Sequence, residues 1–207
     1  MILPQELKEA ISHLPSKEKD KLIFRLLKKD VILANRLLFE LVSSESVEEK
    51  REKVKQQLNN LIERASVHFL SPGYLLADVR GMSGIINEHV AVTKDKIGEI
   101  RLNLFILNEV LSRNNKAIYL AGYERSYTFY VATVAKIFKI LLLLKKLHED
   151  YLIDFEDDLK KLGVLVGNNP LLMKTATYNG LDVNWLIELN IPNDLEYIYK
   201  DLKNRGF

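Results

Sequence analysis

KIGEIRLNLFILNEVLSR, residues 96–113, decides the fold. On a helix drawn through it, Ile97, Ile100, Leu104, Leu107 and Leu111 lie on one side and Leu102, Ile106 and Val110 on another. A helix that is apolar nearly all round needs neighbours on several sides, so this segment is expected in the middle of a helical bundle. Thr93 is the expected cap at its start and Asn114-Asn115 its expected end.

The sequence on either side supplies the neighbours. Upstream, Ser71 as cap and Pro72 as first helical residue open a helix to about Val92. Before it, a helix from about Val47 to Phe69 carries an apolar line of Val54, Leu58, Leu61 and Ile62, and Ser46 with Glu49 forms a capping box at its start. Three short helices come first. Pro4 opens one to about Leu14, Ser16 caps a second with Leu22, Ile23, Leu26 and Leu27 as its stripe, and Asp30 starts VILANRLLFELV. Downstream, Lys116 to about His148 is predicted to be the longest helix, with a bend at Gly122. After Tyr151 the breaks at Gly163, Gly167, Asn168-Asn169-Pro170, Asn179-Gly180 and Ile191-Pro192 predict three or four small helices. Strand alternation is nearly absent and no fixed-period repeat runs through the chain. The predicted architecture is all-α. A bundle of about six helices occupies residues 1–150, with residues 1–45 as short helices packed on it, and residues 151–207 form a C-terminal layer of short helices in the same globule.

The 207 residues are 47% apolar and 28% charged, the balance of a globular protein rather than a disordered one. The absence of cysteine excludes disulfides, thiolate metal sites and cysteine nucleophiles, and a cytoplasmic location is expected. MILPQELKEAISHLP has acidic residues and a proline where a signal peptide would be basic and then apolar, so no export signal is expected. The most apolar run, Phe129 to Leu144, carries Lys136 and Lys139 and is expected to be a core helix, not a membrane anchor. Thirty basic against 28 acidic side chains leave a net charge of +2, short of the footprint of a dedicated nucleic-acid binder.

Tyr119, Tyr123, Tyr127 and Tyr130 are spaced to share one sector of the expected long helix. Tyrosine has an apolar body and a polar tip, which suits a groove that stacks and hydrogen-bonds a ligand. Val134, Ile137, Leu141 and Leu144 continue the same face, which favours core residues near a wet edge. Gly73, Ala77 and Gly81, with Gly84, make a small-residue face suited to close helix approach. Beside it Asp78, Arg80, Ser83 and Asn87 offer a small polar pocket, and the buried amide of Asn103 is expected to reach the Ser83 and Asn87 side. These residues with Tyr123 and Tyr127 are the candidate ligand site. Thr93, Lys94 and Lys96 at a helix start form a further anion-binding candidate.

No catalytic residue, metal ligand or cofactor is assigned. None of His13, His68, His89 or His148 has a glutamate three residues earlier, as a helical di-iron site requires. Phosphate-loop, nucleophile-elbow and H-E-x-x-H motifs are absent. Glu49 and Glu52 form an E-x-x-E pair that resembles half of the motif of the all-α nucleotide pyrophosphohydrolases, which implies magnesium and phosphate chemistry. The second half is missing, its nearest analogue being Asp154 and Asp157. Lys17, Lys21, Arg25 and Lys28 align on one helix face as candidate phosphate contacts, diluted by Glu18 and Asp20.

By elimination the chain is expected to be a helical interaction or scaffolding module without enzymatic activity, binding a protein partner or itself. Trp185, Tyr197 and Tyr199 are its candidate partner surface. The alternatives are a nucleic-acid-associated helical protein, a metal-dependent all-α nucleotide phosphohydrolase and a small-ligand sensor.

Overall fold

The expected class is the observed one. The computed structural model describes residues 3–204, and these contain eleven α-helices, one 3-10 helix and no strand. Met1, Ile2 and residues 205–207, at the outer ends of the two predicted regions, lie outside the described residues. Three short helices, α1 (Gln5–Ser12), α2 (Ser16–Leu27) and α3 (Val31–Leu41), lead into four long ones, α4 (Val47–Val67), α5 (Pro72–Thr93), α6 (Lys96–Leu120) and α7 (Tyr123–Leu144). A 3-10 turn (Glu149–Phe155) connects to α8 (Glu156–Gly167), α9 (Pro170–Tyr178), α10 (Asn184–Ile187) and α11 (Leu195–Asn204).

Several helix starts follow local chemistry. The Asp30 carboxylate accepts from the Leu33 amide, the Ser71 hydroxyl from the Tyr74 amide, and Ser46 and Glu49 close a reciprocal capping box. Three boundaries differ from expectation. Ser16 is the first residue of α2 rather than its cap, and Pro15 holds the cap position without a side-chain bond. Thr93 ends α5 and donates back to the His89 carbonyl, while Asp95 caps α6 by accepting from the Gly98 amide at 2.8 Å. Asn114 and Asn115 do not end α6, because their amides bond to neighbouring helices and, for Asn114, back to the preceding turn in a way the helix tolerates. Asn114 Nδ2 donates to Ser66 Oγ and to the Val110 carbonyl, and Asn115 Nδ2 donates to the Leu165 carbonyl on α8. The chain turns instead at Gly122, whose φ of 84° and ψ of 163° suit only glycine. Hence α6, at 25 residues, is the longest helix, and Tyr119 belongs to it rather than to α7.

The central position expected for α6 is observed. It packs against α4, α5, α7 and α8, and twelve of its residues are buried. One apolar cluster runs from Leu58 and Ile62 of α4 through α5, α6 and α7 to Leu159, Leu172 and Leu202 of the C-terminal layer. α7 is the one described helix long and apolar enough to cross a membrane, and half of its most apolar window is buried. By contrast α1, α2 and α3 contain no buried residue, although α3 packs across α5 and α2 against α3. No helix packs closely on Gly81 or Gly84 of α5, since a Cβ built on either finds no atom within 4 Å. Close approach occurs at Gly163, where a Cβ would stand 2.7 Å from Ile187 Cγ1, so α10 lies directly on α8.

Candidate functional site

The most highly organised charges sit where α4, α5 and α6 meet. Arg51 of α4 donates to Asp95 through two bonds, Nε to Oδ2 at 2.6 Å and Nη2 to Oδ1 at 2.8 Å. His89 of α5 brings Nε2 to 3.1 Å from Asp95 Oδ2, and both side chains are almost wholly buried. Burial alone would raise the Asp95 pKa, but bonds from His89, Arg51 and the Gly98 amide outweigh it and hold the carboxyl well below the usual range. An ionised carboxylate can only accept, so His89 Nε2 carries the donated proton. The bidentate geometry ties three helices at one point, and a methyl on Gly98 would collide with the Asp95 carboxylate.

Further polar contacts anchor α6 to α8. Asn108 Nδ2 donates to the Asp158 carbonyl at 3.0 Å, and Asn169 Nδ2, from the cap of α9, donates to Asn115 Oδ1 at 2.8 Å. Asn103 instead donates to the Glu99 carbonyl of its own helix at 2.6 Å and so does not reach Ser83 or Asn87. Ser83 accepts from Lys136 Nζ at 2.8 Å and donates to the Val79 carbonyl. Burial of the Lys136 ammonium, with Lys139 beside it, pushes its pKa down to about 8 against the pull of Glu99.

The predicted ligand residues are spread over separate sites. Asp78 lines an open groove between α4 and α5 with Arg64, His68 and Gly81, and Arg80 is exposed. Tyr123 and Tyr127 face Met173, Lys174 and Tyr178 across a groove between α7 and α9, with Lys174 Nζ 5.5 Å from the Tyr123 ring centre. Tyr130 is wholly buried, whereas Tyr119 and Tyr127 are exposed, so the tyrosine series divides between core and surface. Asn87 lines a cavity of about 530 Å³ between the end of α5, the start of α6 and the end of α7. Its floor is Val90, Ala91, Ile100, Leu143 and Leu147, and Lys94, Lys96 and Lys146 stand at its rim.

No protein family, no curated protein and no solved structure matches this chain.

Of Trp185, Tyr197 and Tyr199, only Tyr197 is exposed. Trp185 and Tyr199 both pack on Phe138, with ring centres 6.4 and 5.7 Å away. The N-terminal helices are the larger apolar surface. Twelve of the twenty-four large apolar side chains exposed among the described residues lie in residues 3–42. Lys17, Lys21, Arg25 and Lys28 are solvent-exposed on α2, and Lys21 pairs with Glu18 at 2.9 Å. Glu49 is engaged by the Ser46 amide at 2.7 Å, and no group of three potential metal ligands occurs among the described residues. Sequence periodicity could not reveal the Arg51, His89 and Asp95 cluster, which is assembled across 44 residues; the sole local signal was a histidine and an aspartate flanking a helix break.

Proposed function

We propose that this chain is a non-enzymatic helical interaction module that self-associates through α1, α2 and α3. The observation that carries the proposal is the uncovered apolar surface of these helices, including Leu7, Ile11, Phe24, Ile32, Leu38 and Leu41, which are 36–77% exposed. Isolated helices shorter than about 12–15 residues are marginal in water, so helices of 8, 12 and 11 residues without a buried side chain gain stability when something covers them. A dozen half-exposed Leu, Ile, Val and Phe side chains offer an area of the order that a stable interface buries, about 800 Å² per partner.

A second copy fits the charges. Glu6 and Glu9 lie on α1, and Lys17, Lys21 and Arg25 on α2. In a two-fold pair, α1 of each copy lies against α2 of the other, so the one charge match is made twice. Light scattering on a concentration series is the test, with Phe24→Glu/Ile32→Glu as the control. Both sites are more than half exposed, so the control keeps its fold. The wild type is expected to be a dimer at about 100 μM and the double variant a monomer. A wild type that stays monomeric at that concentration overturns self-association.

A further inference from the structure

We infer that the cavity between the end of α5, the start of α6 and the end of α7 binds an anionic amphiphile, an acid head group on an aliphatic tail. This cavity lies apart from α1, α2 and α3 and does not depend on self-association. Lys94, Lys96 and Lys146 edge the cavity and are exposed, and their ammonium groups make no ion pair or hydrogen bond among the described residues. The one acid in the lining, Glu99, is already 3.0 Å from Lys139. The rim thus carries three uncompensated positive charges, and a concave site with charge of one sign concentrates ligands of the other.

The floor is different in kind. Val90, Ile100, Leu143 and Leu147 present aliphatic surface at the bottom of about 530 Å³, enough for a medium-length chain. An inorganic anion would use the rim alone and an alcohol the floor alone; a fatty acid or an acidic lipid uses both. The amide end of α6 is not the binding element. Asp95 already occupies the Gly98 amide there, so the lysine side chains supply the charge.

Lys94 adds a second observation. It stands at the C-cap of α5 with φ 60° and ψ 23°, a left-handed position that glycine fills at least cost. The chain bears this strain with an exposed cation that has no partner of its own. Replacing Lys94 by glycine therefore separates folding from binding: the backbone relaxes while the rim loses a charge.

The experiment is titration of the full-length protein with sodium decanoate below its micellar concentration, followed by calorimetry and by the methyl signals of Leu143 and Leu147. Saturable binding is expected. Inorganic phosphate and decanol, which each carry half of the chemistry, are expected to bind at least tenfold more weakly. Lys94→Gly is expected to melt at a higher temperature than the wild type yet bind decanoate more weakly. The Lys94→Gly/Lys96→Gln/Lys146→Gln variant is expected to lose about tenfold in affinity or more. Absence of saturable decanoate binding, unchanged affinity in the triple variant, or phosphate binding as tight as decanoate overturns the inference. Pelleting with phosphatidylglycerol vesicles, lost in the triple variant, supports the site with a bilayer lipid as source. Decanoate binding without pelleting supports it with a free amphiphile as source.

Discussion

Arg51 holds Asp95 by two parallel hydrogen bonds of 2.6 and 2.8 Å, joining α4 to the first turn of α6 with the carboxylate almost entirely out of solvent. Breaking a buried pair from one side leaves an uncompensated charge, which costs about 3–5 kcal/mol. Arg51→Met is expected to destabilise the protein by that order in urea unfolding, and Asp95→Asn by somewhat less, since the amide keeps part of the bonding. A loss under about 0.5 kcal/mol for Arg51→Met would show that the pair is solvated in solution.

The same carboxyl sets an acid limit. Its folded pKa is depressed, so its contribution is present above the ordinary aspartate value of 3.8 and is lost as pH falls from there toward its folded pKa. Urea midpoints measured between pH 5 and 2 should fall steeply in the wild type and less steeply in Asp95→Asn. Parallel curves would assign the acid lability to other groups.

Lys136 also makes stability rise with pH, but as a buried cost rather than a gain. Its folded pKa, near 8, lies below the 10.5 of the exposed side chain, so between those values the unfolded chain binds more protons and stability rises with pH. Below pH 8 the buried charge is a constant cost. Lys136→Met is expected to stabilise the protein at pH 7 by about 1–2 kcal/mol and to flatten the rise above pH 8. A destabilised Lys136→Met would mean that the bond to Ser83 outweighs desolvation.

Two glycine substitutions should move in opposite directions. Gly122→Ala forces an alanine into a backbone region that is essentially reserved for glycine and should cost about 1–3 kcal/mol, although no atom stands within 4 Å of the added methyl. Gly84→Ala, inside α5 at ordinary dihedrals with open space around the methyl, should gain about 0.5–1 kcal/mol. Thermal melts of the pair test whether Gly122, rather than the asparagines, separates α6 from α7.

Local chemistry and periodicity carried the fold. Ser46 with Glu49, Asp30, and Ser71 with Pro72 announce helix starts within a few residues, and the all-round apolar pattern of residues 96–113 places α6 at the centre. Errors arose where tertiary contacts override local preference. Asn114 and Asn115 read as a break because asparagine competes with helical backbone, yet their amides are taken up by Ser66 and Leu165. The glycine face of α5 read as a packing surface because small residues permit approach, but permission does not supply a partner helix. Lys94 and Lys96 were legible as an anion candidate, whereas the floor beneath them was not. Leu143, at the end of α7, and Leu147, in the turn just past it, lie some fifty residues away, and only the folded chain brings them under Lys94 and Lys96.

The asparagines that join α6 to α8 have an asymmetric consequence for sequence change. Asn108 and Asn115 each donate to a main-chain carbonyl, those of Asp158 and Leu165, and every residue type carries that acceptor. Substitutions at 158 and 165 can therefore drift without loosening these bonds, while replacing either donor removes one outright. These two bonds are written on α6 alone, so mutational tolerance should be one-sided between positions 108 and 115 on α6 and positions 158 and 165 opposite them.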